Sequence, residues 1–180
     1  MWIFGYGSLI WKPGFTWTER RVGFIRGWRR RFYQGSYDHR GVPGNPGRVV
    51  TLLPDEQSTT WGMAFRIQGQ EEQRVLAQLD HREKGGYRRC REPVFAGNPE
   101  EDATPTVKEA LVYVATEENP HYLGPATPEQ IAHQALGARG PSGPNTEYIL
   151  ELADALRRLD VDDDHVFAVD AALRALLFRQ

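Results

Sequence analysis

Residues 2–11, Trp-Ile-Phe-Gly-Tyr-Gly-Ser-Leu-Ile-Trp, open the chain with an apolar run cut by two glycines and a serine. That pattern predicts a buried strand breaking into a tight loop. Residues 21–34 alternate in a strand-like way, with Val22, Phe24, Trp28, Phe32 and Tyr33 set among arginines. Residues 36–48 are rich in Gly and Pro and predict a loop. Residues 49–53 and 61–67 predict two short strands with turn residues between them. Residues 70–83 predict a helix with Val75, Leu76 and Leu79 on one face, stopped by Gly85 and Gly86. Residues 87–95 and 107–116 predict strands joined by a polar loop. A helix opens at Thr127-Pro128-Glu129-Gln130, where a capping residue precedes a first-turn proline. A second Gly/Pro loop at 140–145 leads into a helix over 146–159, and a last helix is expected over 162–178.

The strands cluster in residues 1–116 and the helices follow, apart from one inserted between strands. That order indicates an α+β fold and not alternating βαβ units. Several short strands with glycine corners suit a small barrel or a strongly bent sheet. With no repeat or linker in view, residues 1–180 are expected to form one domain. The net charge of -2, from 22 basic and 24 acidic residues, gives no global pull toward nucleic acid or an anionic membrane. No apolar run approaches the roughly 20 residues needed to span a bilayer. The apolar N-terminal stretch has no basic region before it and is cut by glycines, so it is not expected to be a secretory signal. Cys90 is the only cysteine. An intramolecular disulfide is therefore excluded, and a reducing, cytoplasmic setting is expected.

Two features carry candidate chemistry. Gly5 and Gly7 let the backbone turn sharply and let a ligand approach the main chain, whose N–H groups suit a carboxylate or an oxyanion. Glu83 falls four residues after Leu79 and so continues the apolar stripe of the predicted helix, with Arg82 and Lys84 to either side. A carboxylate on such a stripe is desolvated, which raises its pKa and makes it a usable base near neutral pH. The plain alternatives are a core strand with an ordinary turn, and a surface glutamate paired with Arg82, Lys84 or Arg88.

The other candidates are weaker. Ser8 lacks the Gly-x-Ser-x-Gly elbow of a nucleophilic serine. Asp38-His39 could supply two members of a hydrolytic triad, but adjacent residues in such a loop are more often turn formers. Cys90 reads as a structural thiol in a strand. His39, His81, His121, His133 and His165 show no metal-ligand spacing. The run from Arg26 to Phe32 mixes basic and aromatic residues, and an exposed strand face with arginine stems over apolar surface is preferred to a nucleic-acid site. Asp162-Asp163-Asp164 supplies negative charge at a helix start.

Several stretches occur together in one order: Phe4-Gly5-Tyr6-Gly7-Ser8-Leu9-Ile10-Trp11, Gln34-Gly35-Ser36, Asp38-His39-Arg40-Gly41-Val42-Pro43-Gly44 with Pro46-Gly47-Arg48, Arg82-Glu83-Lys84-Gly85-Gly86-Tyr87, Asn119-Pro120 with Tyr122-Leu123-Gly124-Pro125, and Gly140-Pro141-Ser142-Gly143 with Asn145-Thr146-Glu147-Tyr148. Over nearly the whole chain this resembles the ChaC family of glutathione-specific γ-glutamylcyclotransferases. The resemblance implies a bent β-barrel fold with flanking helices. It implies cleavage of glutathione, a small-molecule substrate, to 5-oxoproline and cysteinylglycine without water, metal or cofactor. It implies that Tyr6, Gly7, Ser8 and Leu9 form the substrate-binding loop, and Ile3, Phe4 and Gly5 before them are expected to bind substrate as well. It implies that Glu83 is the catalytic acid/base. The two Gly/Pro loops are expected to close over the cysteinylglycine half. The alternatives are a cyclotransferase of the same fold acting on another γ-glutamyl compound, and a non-catalytic binding module, against which Glu83 argues. No nucleic-acid or membrane partner is expected, and the oligomeric state is open.

Overall fold

The structure, a computed structural model, describes residues 1–82, 86–101 and 103–179. The fold is mixed α+β. A five-stranded sheet has the order β2-β3-β1-β5-β4, from β1 (Trp2–Gly5), β2 (Glu19–Ser36), β3 (Gly47–Arg66), β4 (Arg88–Val94) and β5 (Val107–Val114). Four helices accompany it: α1 (Glu71–Arg82), α2 (Pro128–Gly137), α3 (Asn145–Arg158) and α4 (Asp164–Leu177). A two-residue hairpin, β6 (Arg139–Gly140) and β7 (Gly143–Pro144), replaces the plain loop expected over 140–145.

The sheet does not close into the expected barrel. Its hydrogen-bond ladder is open, with β2 and β4 at the edges. Those edges pinch together at a bridge outside the ladder, where Phe24 and Phe95 exchange both main-chain hydrogen bonds at 2.9 Å. The Phe24 and Phe95 rings stack there, 5.7 Å between centroids. Bent edges thus meet at a point without the continuous pairing that closure requires.

A second correction concerns residues 47–66, where two strands were expected and one continuous strand, β3, is found. The intervening Pro54, Asp55 and Gln57 gave the turn signal. β1 covers only Met63–Arg66 of β3. Pro54, exposed and lacking an N–H, therefore lies outside the stretch of β3 that β1 pairs with, where its missing donor costs that pairing nothing. Asp55 satisfies the local backbone by accepting from the Gln57 N–H at 3.3 Å and from the Ser58 hydroxyl at 2.8 Å.

The chain divides into two compact units, Met1–Arg29 with Leu52–Pro120, and Arg30–Thr51 with His121–Gln180. In the first, Ile3, Phe4, Phe24, Phe65, Val112 and Val114 are buried, and α1 contributes Val75 and Leu79, both fully buried. In the second, Phe32 packs in a core with Ile131, Ile149, Leu152, Leu156, Val166 and Val169. The start of α2 is a reciprocal capping box. The Thr127 hydroxyl accepts from the Gln130 N–H at 3.2 Å, and the Gln130 side chain accepts from the Thr127 N–H at 2.9 Å. Asp163 caps α4 by accepting from the Val166 N–H at 2.9 Å. It also meets Arg30 at 3.1 Å. Arg30 is only 2% exposed, so the expectation of an exposed arginine face fails at this residue: its carboxylate partner draws it inward.

The two Gly/Pro loops of the second unit are knitted to each other. The Ser142 N–H donates to the His39 carbonyl at 2.9 Å. A Cβ on Gly140 would stand 2.3 Å from the same carbonyl oxygen, so only glycine permits the approach. The buried Asn145 side chain accepts from the Arg48 N–H and donates to the Arg48 carbonyl, both at 2.8 Å, as a neighbouring strand would.

Candidate active site

β1 runs parallel to β5 with Ile3 opposite Leu111, and antiparallel to β3 with Gly5 opposite Met63. At the C-terminal end of β1 the chain leaves the sheet and folds into a single 3-10 turn, Ser8–Ile10. The Ile10 N–H donates to the Gly7 carbonyl at 3.0 Å, and the Lys12 N–H to the Ser8 carbonyl at 2.8 Å. The turn folds back so closely that a Cβ on Gly5 would lie 2.6 Å from the Leu9 Cβ. The strand behind is equally close, because a Cβ on Gly62 would lie 2.3 Å from the Gly5 carbonyl oxygen. Gly5 is thus required by packing alone, whatever it does for a ligand.

Of the seven residues expected to bind substrate, Ile3 and Phe4 bury their side chains in the core and could meet a ligand only through the main chain. Gly5 and Tyr6 are also buried, whereas Gly7, Ser8 and Leu9 are partly exposed. The Tyr6 hydroxyl is tied down, donating to the main-chain carbonyl of Tyr113 near the end of β5 at 2.6 Å.

Tyr113 connects onward. Its own hydroxyl donates to Asp80 Oδ1 in the last turn of α1 at 2.8 Å. Arg89 on β4 stands opposite Tyr113 in the strand register and grips the same carboxylate with Nε, at 3.0 Å, and with Nη2. The Arg89 guanidinium also lies over the Tyr113 ring, 5.8 Å from its centroid. Arg89 and then the Tyr113 hydroxyl hold the Asp80 carboxyl below the usual range. Burial, followed by the hydrogen bond to Asp80, pushes the Tyr113 phenol up, so it remains a protonated donor.

Glu83, together with Lys84 and Gly85, lies outside the described residues. The chain on either side is described. α1 ends at Arg82; of its apolar stripe, Val75 and Leu79 are buried and Leu76 is half-buried. The chain resumes at Gly86, where φ is +87° and a Cβ would stand 3.0 Å from the Asn119 side-chain nitrogen.

The weaker candidates take structural places. Cys90 is half-buried on β4, and burial, with Glu92 nearby, pushes its thiol up. His39 Nδ1 is 3.2 Å from the Ser142 hydroxyl, and Asp38 is 4.0 Å from His39 Nε2. That resembles a triad in composition only. Asp38 is exposed and too distant to orient the ring, and the contact joins two loops already locked by the main chain. Among the described residues no group of three or more His, Cys, Asp or Glu is gathered as a metal site would need. The sequence reading missed Tyr113, Asp80 and Arg89. One signal was available: a carboxylate in the last turn of a helix opposes the helix dipole and calls for a partner.

The sequence profile of the family described as ChaC-like protein matches residues 1–176. The chain belongs to the ChaC-like family. This ChaC-like chain is 47% identical to the human protein named glutathione-specific gamma-glutamylcyclotransferase 1, covering 98% of this chain and 80% of that one. It is 39% identical to the glutathione-specific gamma-glutamylcyclotransferase of Schizosaccharomyces pombe, over 97% of this chain and 92% of that one. The crystal structure of a yeast γ-glutamyl cyclotransferase specific to glutathione superposes with a TM-score of 0.87 at 30% identity, covering 97% of this chain and 96% of the yeast chain. The fold as a whole is therefore similar to that of the yeast enzyme.

Proposed function

We propose that this protein cleaves the γ-glutamyl bond of glutathione by intramolecular aminolysis, releasing 5-oxoproline and cysteinylglycine. The observation that carries the reading is relationship over 97–98% of this chain, at 39% to 47% identity, to enzymes named for this activity. In this mechanism the substrate supplies its own nucleophile. The α-amine attacks the γ-amide carbon, a five-membered ring forms, and the bond to the cysteinyl nitrogen breaks. Holding the glutamyl chain folded supplies much of the acceleration.

Proton balance then defines what the protein must do. The α-ammonium gives up two protons, and the departing cysteinyl nitrogen gains two. Glu83 takes the role of the base that accepts a proton from the ammonium and returns it to the leaving nitrogen. Main-chain N–H groups along Tyr6–Ser8 take the role of holding the glutamyl carboxylate or the oxyanion that develops on the γ-carbonyl. Two features support this assignment: the sharp exit of the chain at the end of β1, and the burial of Val75 and Leu79 on α1, the helix that precedes Glu83 in the sequence. Incubation of purified protein with glutathione, with 5-oxoproline read by mass spectrometry, tests the reading. Equal kcat/KM for glutathione, γ-glutamyl-cysteine and γ-glutamyl-alanine would replace it with a broader cyclotransferase.

A further inference from the structure

Asp80 is placed where helix physics disfavours it. It lies two residues from the end of α1, where the macrodipole repels a carboxylate. It is about half exposed, and exposed ion pairs add little to stability. Yet three donor groups converge on it: the Tyr113 hydroxyl and two nitrogens of Arg89. These donors come from cross-strand partners on β4 and β5. Tyr113 in turn receives the Tyr6 hydroxyl on its main-chain oxygen. One residue therefore touches the loop after β1 through its carbonyl and the end of α1 through its phenol. From Gly86 onward the chain is held as well: Arg88 pairs with Glu118, and Gly86 packs against Asn119.

We propose that Asp80, Tyr113 and Arg89 are positioning residues, a clamp that fixes the end of α1, and so the start of the segment carrying Glu83, relative to the Tyr6–Leu9 loop. The proposal rests on the reading of Glu83 as base and Tyr6–Leu9 as cradle. Its physical content is that a base misplaced by about 1 Å loses rate without losing substrate binding. The Tyr113 phenol, held protonated, is a fixed donor throughout the neutral range. Asp80 stays ionised and keeps Arg89 in place over the same range.

The test compares Tyr113→Phe, Asp80→Ala, Asp80→Asn and Arg91→Gln with the unaltered protein. Arg91→Gln is the control, because it removes the Arg91–Glu109 pair on the same two strands with no link to α1. Tyr113→Phe and Asp80→Ala are expected to lower kcat for glutathione by about 10- to 100-fold with KM within about twofold. Asp80→Asn keeps an acceptor for the phenol and is expected to recover most of kcat. Arg91→Gln is expected to match the unaltered protein. Hydrogen exchange over a peptide spanning residues 80–88 supplies a readout that needs no turnover, and it should quicken in Tyr113→Phe and Asp80→Ala alone. Unchanged exchange in both variants overturns the clamp, as does unchanged kcat, or a kcat loss that only tracks the folded fraction. If the unaltered protein does not turn over glutathione, the proposed function fails, and the exchange measurement still decides the clamp.

Discussion

The Tyr6 hydroxyl donates to the Tyr113 carbonyl at 2.6 Å, joining the turn after β1 to the end of its parallel neighbour β5. Tyr6 is 7% exposed, so this polar tip is buried and its partner matters. Tyr6→Phe keeps the ring and removes the bond. It is expected to cost roughly 1 kcal/mol of stability, by analogy with other single buried hydrogen bonds. Urea unfolding checks this. An unchanged midpoint would mean that the bond adds nothing.

Glu83→Gln keeps shape and removes the proposed base. It is expected to reduce kcat by about 10²–10⁴ while leaving the fold and glutathione binding largely intact. Steady-state kinetics and calorimetric binding check this together. A Gln variant with more than about a tenth of the normal rate would take the role from Glu83.

Gly5→Ala drives a methyl group to within 2.6 Å of the Leu9 Cβ, and the turn must shift. A cost of about 1–3 kcal/mol is expected, together with a fall in activity. Gly137→Ala, whose Cβ would meet nothing within 4 Å, is the comparison and is expected to be nearly neutral. Thermal melts of the two variants measure the contrast. Equal melting temperatures would refute the close-packed turn.

His165 is half-buried, and its Nε2 accepts from the Phe32 N–H at 3.0 Å. Burial, and then the nearby Arg31 and Arg30, push its pKa down from 6.5 to about 4. The unfolded chain therefore binds one more proton than the folded one between these values. Stability should fall as pH drops through that window, by at most about 1.4 kcal/mol per pH unit. His165→Phe should flatten that slope while lowering stability at pH 7, because the Phe32 N–H loses its acceptor. Urea midpoints at several pH values decide it. The same slope in the variant would assign the pH dependence elsewhere.

Cys90 is half-buried on β4 with its thiol pushed up by burial, so little thiolate forms at neutral pH. Cys90→Ala is expected to retain its rate apart from a small packing cost, and the unaltered enzyme should keep its rate in excess EDTA. A folded but inactive Cys90→Ala, or an EDTA-sensitive rate restored by added metal, would overturn the proposed mechanism.

Local rules along the chain were enough for α1, α2 and α4, because a 3.6-residue stripe, a capping box and an aspartate N-cap are written in neighbouring residues. The same holds for the strand-to-loop break at Gly5, where an apolar run meets glycine. The family resemblance carried by the ordered motifs was also legible in the sequence, and with it the mixed α+β class. Closure of the sheet was not legible, since barrel and open sheet share the same strands and differ only in whether the edges pair beyond Phe24 and Phe95. The continuity of β3 through Pro54 was hidden because its tolerance depends on which neighbours cover it, a tertiary fact. Arg30 read as one more surface arginine until Asp163, far along the chain, was placed beside it. The convergence of Tyr6, Asp80, Arg89 and Tyr113 was decided by the tertiary structure alone: these residues lie on α1, β4, β5 and the loop after β1, and only strand register and the docking of α1 bring their polar ends within hydrogen-bond reach.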